Sequence, residues 1–164
     1  MEVIHAAFVP TSSTPVDYLL GELGTYVLWS PRAVRRPSYI GEGNVLARMV
    51  KHVETYGSKL TGVVAVLAEG TEKERKAHSE LLEATLFELA DALGIPPTHN
   101  KAPGKMIRLI EKYAAGHNVV RFQLSGYHPL RFDTSLPGRA TVEWRFEGSA
   151  SDPGLRLLHP WRRS

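Results

Sequence analysis

Residues 24–52 read GTYVLWSPRAVRRPSYIGEGNVLARMVKH, and the way this stretch divides decides the fold. Thr25 to Ser30 is a β-rich run and Ser38 to Gly41 a second, shorter one; between them Pro31, Arg32, Arg35, Arg36 and Pro37 make an exposed, cationic connection. Tyr26 and Tyr39 therefore fall on neighbouring strands. Tyrosine suits a pleated, half-buried surface, so either one alone reads as a packing residue, and it is their spacing that suggests more. Gly41 and Gly43 let the chain turn sharply out of the second strand, Asn44 is placed to cap a helix and Gly57 to end it. In that helix Val45, Leu46, Met49, Val50 and Val53 recur at the helical period and predict one apolar stripe. Arg48 and His52, at i and i+4, sit roughly 40° apart on one edge of the stripe, where side chains lean over the end of a sheet. A solvated helix face is the other reading of Arg48.

Outward from this stretch, Val3 to Val9 reads as a strand, Pro10 to Pro15 as a loop, and Asp17 to Leu23 as either a helical turn or a strand lead-in. Thr61 to Leu67 is a continuous apolar run, as a central strand buried on both faces would be. Thr71 and Glu74 form a capping box ahead of a helix running to about Leu93, which Gly94 and Pro96 end. Leu81, Leu82, Leu86, Leu89 and Leu93 share its apolar face. His78 falls near the centre of that face and reads as a core histidine, whereas Glu83 lies roughly 60° beyond its edge. Pro103 and Gly116 bracket a further helix over Lys105 to Ala115. Val120, Phe122 and Leu124, then Val142, Trp144 and Phe146, alternate with polar residues and predict two antiparallel strands joined by a loop over Tyr127 to Arg139. Gly148 to Ser164 reads as a tail whose Leu155, Leu157, Leu158 and Trp161 dock on the domain or on a second subunit, so a homodimer is one expectation.

With 164 residues, 43% hydrophobic and 23% charged, the chain has material for one good core and a small appended subdomain. The absence of cysteine excludes a disulfide framework and thiolate metal sites. The longest apolar runs are too short to span a bilayer and Met1 to Val9 lacks a secretory pattern, so no membrane partner and a cytoplasmic location are expected. Charge is unevenly placed: residues 1–100 carry nine Lys and Arg against twelve Asp and Glu, while residues 101–164 carry eleven against five. A basic C-terminal part is what a polyanion-binding extension shows, and equally what a solvated basic surface shows.

The set Gly24-Thr25-Tyr26, a hairpin, Tyr39-Ile40-Gly41 and the downstream Arg48 resembles the GIY-YIG nuclease family. Lys76-Ala77-His78 followed by Leu82-Glu83-Ala84, with Asn100 after it, resembles one subgroup of that family. The resemblance covers roughly residues 24–104. It implies an α/β (α+β) fold with a small, mainly antiparallel central sheet flanked by helices, to which residues 1–23 are an N-terminal extension. Residues 105–164 would add a helix, a β-hairpin and a basic tail. It also implies phosphodiester hydrolysis of DNA with Mg²⁺ or Mn²⁺, in restriction or defence, DNA repair or mobile-element processing. Tyr26, Tyr39, Arg48, His52, Glu83 and Asn100 match the site residues, with Glu83 as the metal ligand; a structural role for Asn100, tying its loop down, is favoured. Glu42 departs from relatives that carry lysine there, and a solvent-facing carboxylate is the expectation. Arg32, Arg35 and Arg36 on the hairpin loop and Arg162 and Arg163 in the tail are the proposed phosphate contacts. The alternative is a catalytically inactive module of the same fold that binds nucleic acid or a protein partner.

Overall fold

The computed structural model describes residues 1–11, 19–57, 60–67, 69–100, 119–132, 137–145 and 154–163. Its strands are β1 (Glu2–Pro10), β2 (Leu23–Trp29), β3 (Tyr39–Asn44), β4 (Thr61–Val66), β5 (Val119–Gly126), β6 (Gly138–Arg145) and β7 (Gly154–Arg163). The helices are α1 (Val45–Tyr56) and α2 (Glu72–Ala92). All seven strands join one mixed sheet in the order β3-β2-β4-β1-β5-β6-β7. β1 runs parallel to β5, and the other neighbours are antiparallel.

Alternation along the strands separates the two faces. In β1, Ile4, Ala6 and Phe8 are buried while Val3, His5, Ala7 and Val9 are exposed, the period of two expected of a pleated strand. The buried side meets α2: Leu81, Leu82, Leu86 and Phe87 cluster with Phe8, Val27, Ala65, Phe122, Val142 and Trp144. On the other face Tyr26, Leu28 and Val64 pack with Val45, Leu46 and Met49 of α1. Polar side chains fasten α2 to the sheet without leaving the core: Thr25 donates to the Ser79 carbonyl at 2.8 Å, and the Trp144 indole donates to Thr85 Oγ1 at 2.8 Å.

The helix ends follow the sequence expectations. Asn44 accepts from the Ala47 amide at 3.1 Å, and the Gly57 amide donates to the Val53 carbonyl. Thr71 and Glu74 exchange both bonds of a capping box. The α1 stripe is narrower than its sequence predicts, because Val50 and Val53 stay more than half exposed.

Three elements stand differently from their sequence readings. β1 is not peripheral, since it lies mid-sheet between β4 and β5. The expected hairpin is present as β5 and β6, but it continues the same sheet, so strands from residues 1–23, 24–104 and 105–164 share one core. The C-terminal stretch docks on the domain through Leu155 and Trp161, as one sequence reading had it, but does so as a strand: Gly154–Arg163 pairs with β6. The helix expected over 105–115 and Phe146 lie outside the described residues. No helix among them is long and apolar enough to cross a membrane.

Candidate active site

β3 is the outermost strand at one end of the sheet, and the candidate site is built over it. Tyr26 and Gly41 are cross-strand partners. Gly41 has no side chain, so the Tyr26 phenol lies across β3; a Cβ on Gly41 would stand 2.5 Å from the Tyr26 hydroxyl. Tyr39 stacks parallel to Tyr26, with ring centroids 6.0 Å apart and planes 6° apart. His52 drops from α1 onto both rings, 4.4 Å from Tyr39 and 5.6 Å from Tyr26 between centroids. Its Nε2 is 3.0 Å from the Tyr26 hydroxyl. The spacing of Arg48 and His52 along one helix edge puts Arg48 beside the same cluster. Gly43, at φ 131°, leaves room for it, with a Cβ position 3.2 Å from the Arg48 Nε.

Charges from both helices act on the phenols. Burial pushes the Tyr26 hydroxyl far above the ordinary phenol range, helped by Tyr39, Glu83 and Glu42 and opposed by Arg48. Tyr39 is raised by burial and by Glu83, again opposed by Arg48. His52 is lowered by burial and then by Arg48 and Lys51, so its imidazole is neutral at neutral pH. A neutral ring with a lone pair on Nε2 can accept the proton of Tyr26, and the protonated phenol can donate it. Glu83 is the nearly buried carboxylate of α2 whose charge reaches both tyrosines.

Glu42 overturns its expectation. It is buried rather than solvent-facing, and both carboxylate oxygens accept from Lys76 Nζ, at 2.8 and 2.9 Å. A cation is thus present beside β3, delivered from α2 and not from the strand, and Lys76 also lies 3.7 Å from Glu80. His78 is likewise not a core residue: it sits at the rim, its Nε2 2.8 Å from Glu2 Oε1. Lys76 and His78, the two polar members of that motif, therefore meet β3 and β1 respectively.

Asn100 clamps the open edge of β3. Its amide nitrogen donates to the Ile40 carbonyl at 2.6 Å, and its oxygen accepts from the Ile40 amide at 3.2 Å. The Thr98 and His99 amides donate to the Pro37 and Ser38 carbonyls, so 98–100 runs along the strand like a partial eighth strand. This satisfies edge groups that would otherwise be buried unpaired or offered to another chain. The next contact was not legible as functional: His99 stacks on Tyr56 at 4.9 Å, and Tyr56 stacks on His52 at 5.9 Å. Tyr56 is four residues after His52, so the helical spacing was the available signal.

Among the described residues no group of three or more His, Asp and Glu is placed to share a metal ion. Glu83 is the single carboxylate that the resemblance assigns to a metal, and a hard cation of the Mg²⁺ type binds through one or two carboxylates with water and substrate phosphate in the rest of its shell. The basic residues divide between the two ends of the sheet. Arg32, Arg35 and Arg36 are exposed on the β2–β3 loop next to the site, while Arg162 and Arg163 are exposed on β7 at the far end. Arg121 and Arg145 are committed elsewhere, both to the fully buried Glu143, whose carboxyl they hold below the usual range. Phe122 and Trp144 are buried in the core and Tyr127 and Trp161 pack against it, so none of these four is a free stacking surface.

In comparisons with known families, with curated proteins and with solved structures, the chain matches no family model, no curated protein and no solved structure.

Proposed function

We propose that the protein is a metal-dependent endonuclease that hydrolyses DNA phosphodiester bonds with a GIY-YIG-like site. The observation that carries this reading is the Tyr26–His52 contact at 3.0 Å, with Tyr39 stacked alongside and Arg48 and Glu83 both acting on the phenols. Residues from β2, β3, α1 and α2 would have little reason to converge on one titratable cluster for packing alone.

In this reading Arg48 holds a non-bridging phosphate oxygen and the charge that grows on it. A raised phenol is a poor base by itself, so Tyr26 does not act as a free phenolate. Its oxygen takes a proton from the attacking water while its own proton passes to His52 Nε2, which burial and Arg48 keep unprotonated. The water oxygen then bonds to phosphorus and the P–O bond to the leaving oxygen breaks, that oxygen keeping the electron pair and taking a proton from solvent. Glu83 would hold a divalent cation, Mg²⁺ or Mn²⁺, which when bound supplies charge neutralisation at the phosphate. Asn100 and the Glu42–Lys76 pair are positioning residues that keep β3 and α2 in register.

A second reading, a binding module without turnover, is favoured by the same burial that raises both phenols. The deciding assay is cleavage of supercoiled, linear duplex, branched and single-stranded DNA with Mg²⁺ or Mn²⁺, and with chelator. Cleavage that requires the metal and vanishes in Tyr26→Phe supports the nuclease; no cleavage of any substrate with either metal leaves the binding module.

A further inference from the structure

At the end of the sheet away from the Tyr26 cluster lies an open groove of about 730 Å³, lined among others by His5, Gln123, Arg139, His159, Arg162 and Arg163. The pairing register shows how it is built. His5, Gln123, Thr141 and His159 are successive cross-strand partners on β1, β5, β6 and β7; Ser125, Arg139 and Arg162 form the next row. Cross-strand partners share a face, and this face is the one opposite α2, since Ile4, Phe122 and Val142 alternate to the other side.

The charges on its described lining residues are of one sign. No Asp or Glu is among its described lining residues. Arg139, Arg162 and Arg163 form no ion pair with any described residue, whereas Arg75, Lys76, Arg121 and Arg145 all do. Guanidinium groups with no acidic partner among the described residues, set beside hydroxyl and amide donors, are suited to phosphate oxygens. Its described lining residues also include no Phe, Tyr or Trp, so they offer none of the stacking platforms with which proteins hold single strands.

We propose that this groove docks the sugar–phosphate backbone of duplex DNA and anchors it to the sheet. That the docked duplex is the substrate rests on the nuclease reading; that the groove holds a phosphate backbone does not. Register carries its face without a break from Arg139 through Ser125, Ala7 and Val66 to Gly24, two residues from Tyr26. From β6 to β2 is four strand spacings, roughly 19 Å, too far for Arg139 to touch a phosphate under attack at Tyr26. The groove therefore acts on affinity and not on turnover.

The test is fluorescence anisotropy with a labelled duplex about 20 base pairs long, roughly two helical turns, in chelator. R139Q/R162Q/R163Q removes three exposed charges at little cost to the fold, which a melting curve checks; R139Q alone is the fallback if the triple variant does not fold. R32Q/R35Q/R36Q is the charge-matched control. The groove variant is expected to bind at least about tenfold more weakly at about 0.1 M salt, with a log–log salt slope shallower by two to three, because each phosphate contact contributes roughly 0.9. In cleavage its KM rises and kcat stays. Cleavage by the groove variant with wild-type affinity and salt slope overturns the groove and leaves the nuclease standing. Salt-dependent binding that the groove variant loses, in a protein that never cleaves, supports the groove and removes the nuclease. Loss of affinity in the hairpin-loop control instead, or tighter binding of a single strand of equal length, overturns the proposal.

Discussion

Replacing Gly41 with alanine tests the geometry on which the candidate site depends. The new Cβ would stand 2.5 Å from the Tyr26 hydroxyl and 2.8 Å from a Tyr39 ring carbon, against ordinary contact at 3.4 Å or more. Something must therefore move by roughly 0.9 Å on the Tyr26 side, the cost of which falls in the overpacking range. Tyr26 cannot swing aside freely, because it is 1% exposed and stacked on Tyr39. The expected destabilisation is about 1–3 kcal/mol, a fall in Tm of roughly 2–12 °C for a chain of this size. A shift of that length would take the hydroxyl out of its 3.0 Å contact with His52, and a misplacement of about 1 Å in a catalytic group costs on the order of 10² in rate. Thermal melting reads the first effect and single-turnover cleavage the second. A wild-type Tm would refute the crossing of β3 by the Tyr26 phenol. A lowered Tm with an unchanged rate would refute the part given to its hydroxyl.

Glu83→Gln keeps the volume and removes the charge, so turnover should fall by at least about 10² with the fold retained; near-wild-type cleavage, with Glu80→Gln or Glu88→Gln dead instead, would show that another face of α2 carries the ligand. Asn100→Ala strips both partners from the Ile40 backbone and should cost about 1–3 kcal/mol, an effect that an unchanged denaturation midpoint would contradict. His128 is half-buried against Trp161, accepts the Leu130 amide at 3.0 Å, and is lowered by burial and Arg131 to about 4. Its folded value lies below its unfolded one, so the unfolded chain binds more protons between them and stability should fall as pH drops from about 6.5 towards 4. Urea midpoints across that range should show a decline that is weaker in His128→Asn, and an identical pH dependence in the two proteins would dismiss this group as the cause.

What the sequence determined by itself is local. Asn44, Gly57 and the Thr71–Glu74 box end helices through bonds to residues three or four away, and the helical period that places His52 one turn after Arg48 needs no knowledge of the rest of the chain. Tyr26, Tyr39, Arg48 and His52 each lie on an element whose type its neighbours announce, but what joined them and Glu83 into one candidate set was the resemblance and not that local pattern. The tertiary structure alone decided strand order, because backbone pairing carries no address in the pairing residues: only the fold sets β1 in mid-sheet, parallel to β5, and turns Gly154–Arg163 into an edge strand. It also decided the fate of each charge. Glu42 looked solvent-facing until Lys76, thirty-four residues on, met it at 2.8 Å, and the arginines of the basic C-terminal part looked alike until buried Glu143 took Arg121 and Arg145. A charge is stabilised by whichever opposite charge stands beside it in space, and which residue stands there is a property of long-range packing that no local periodicity records.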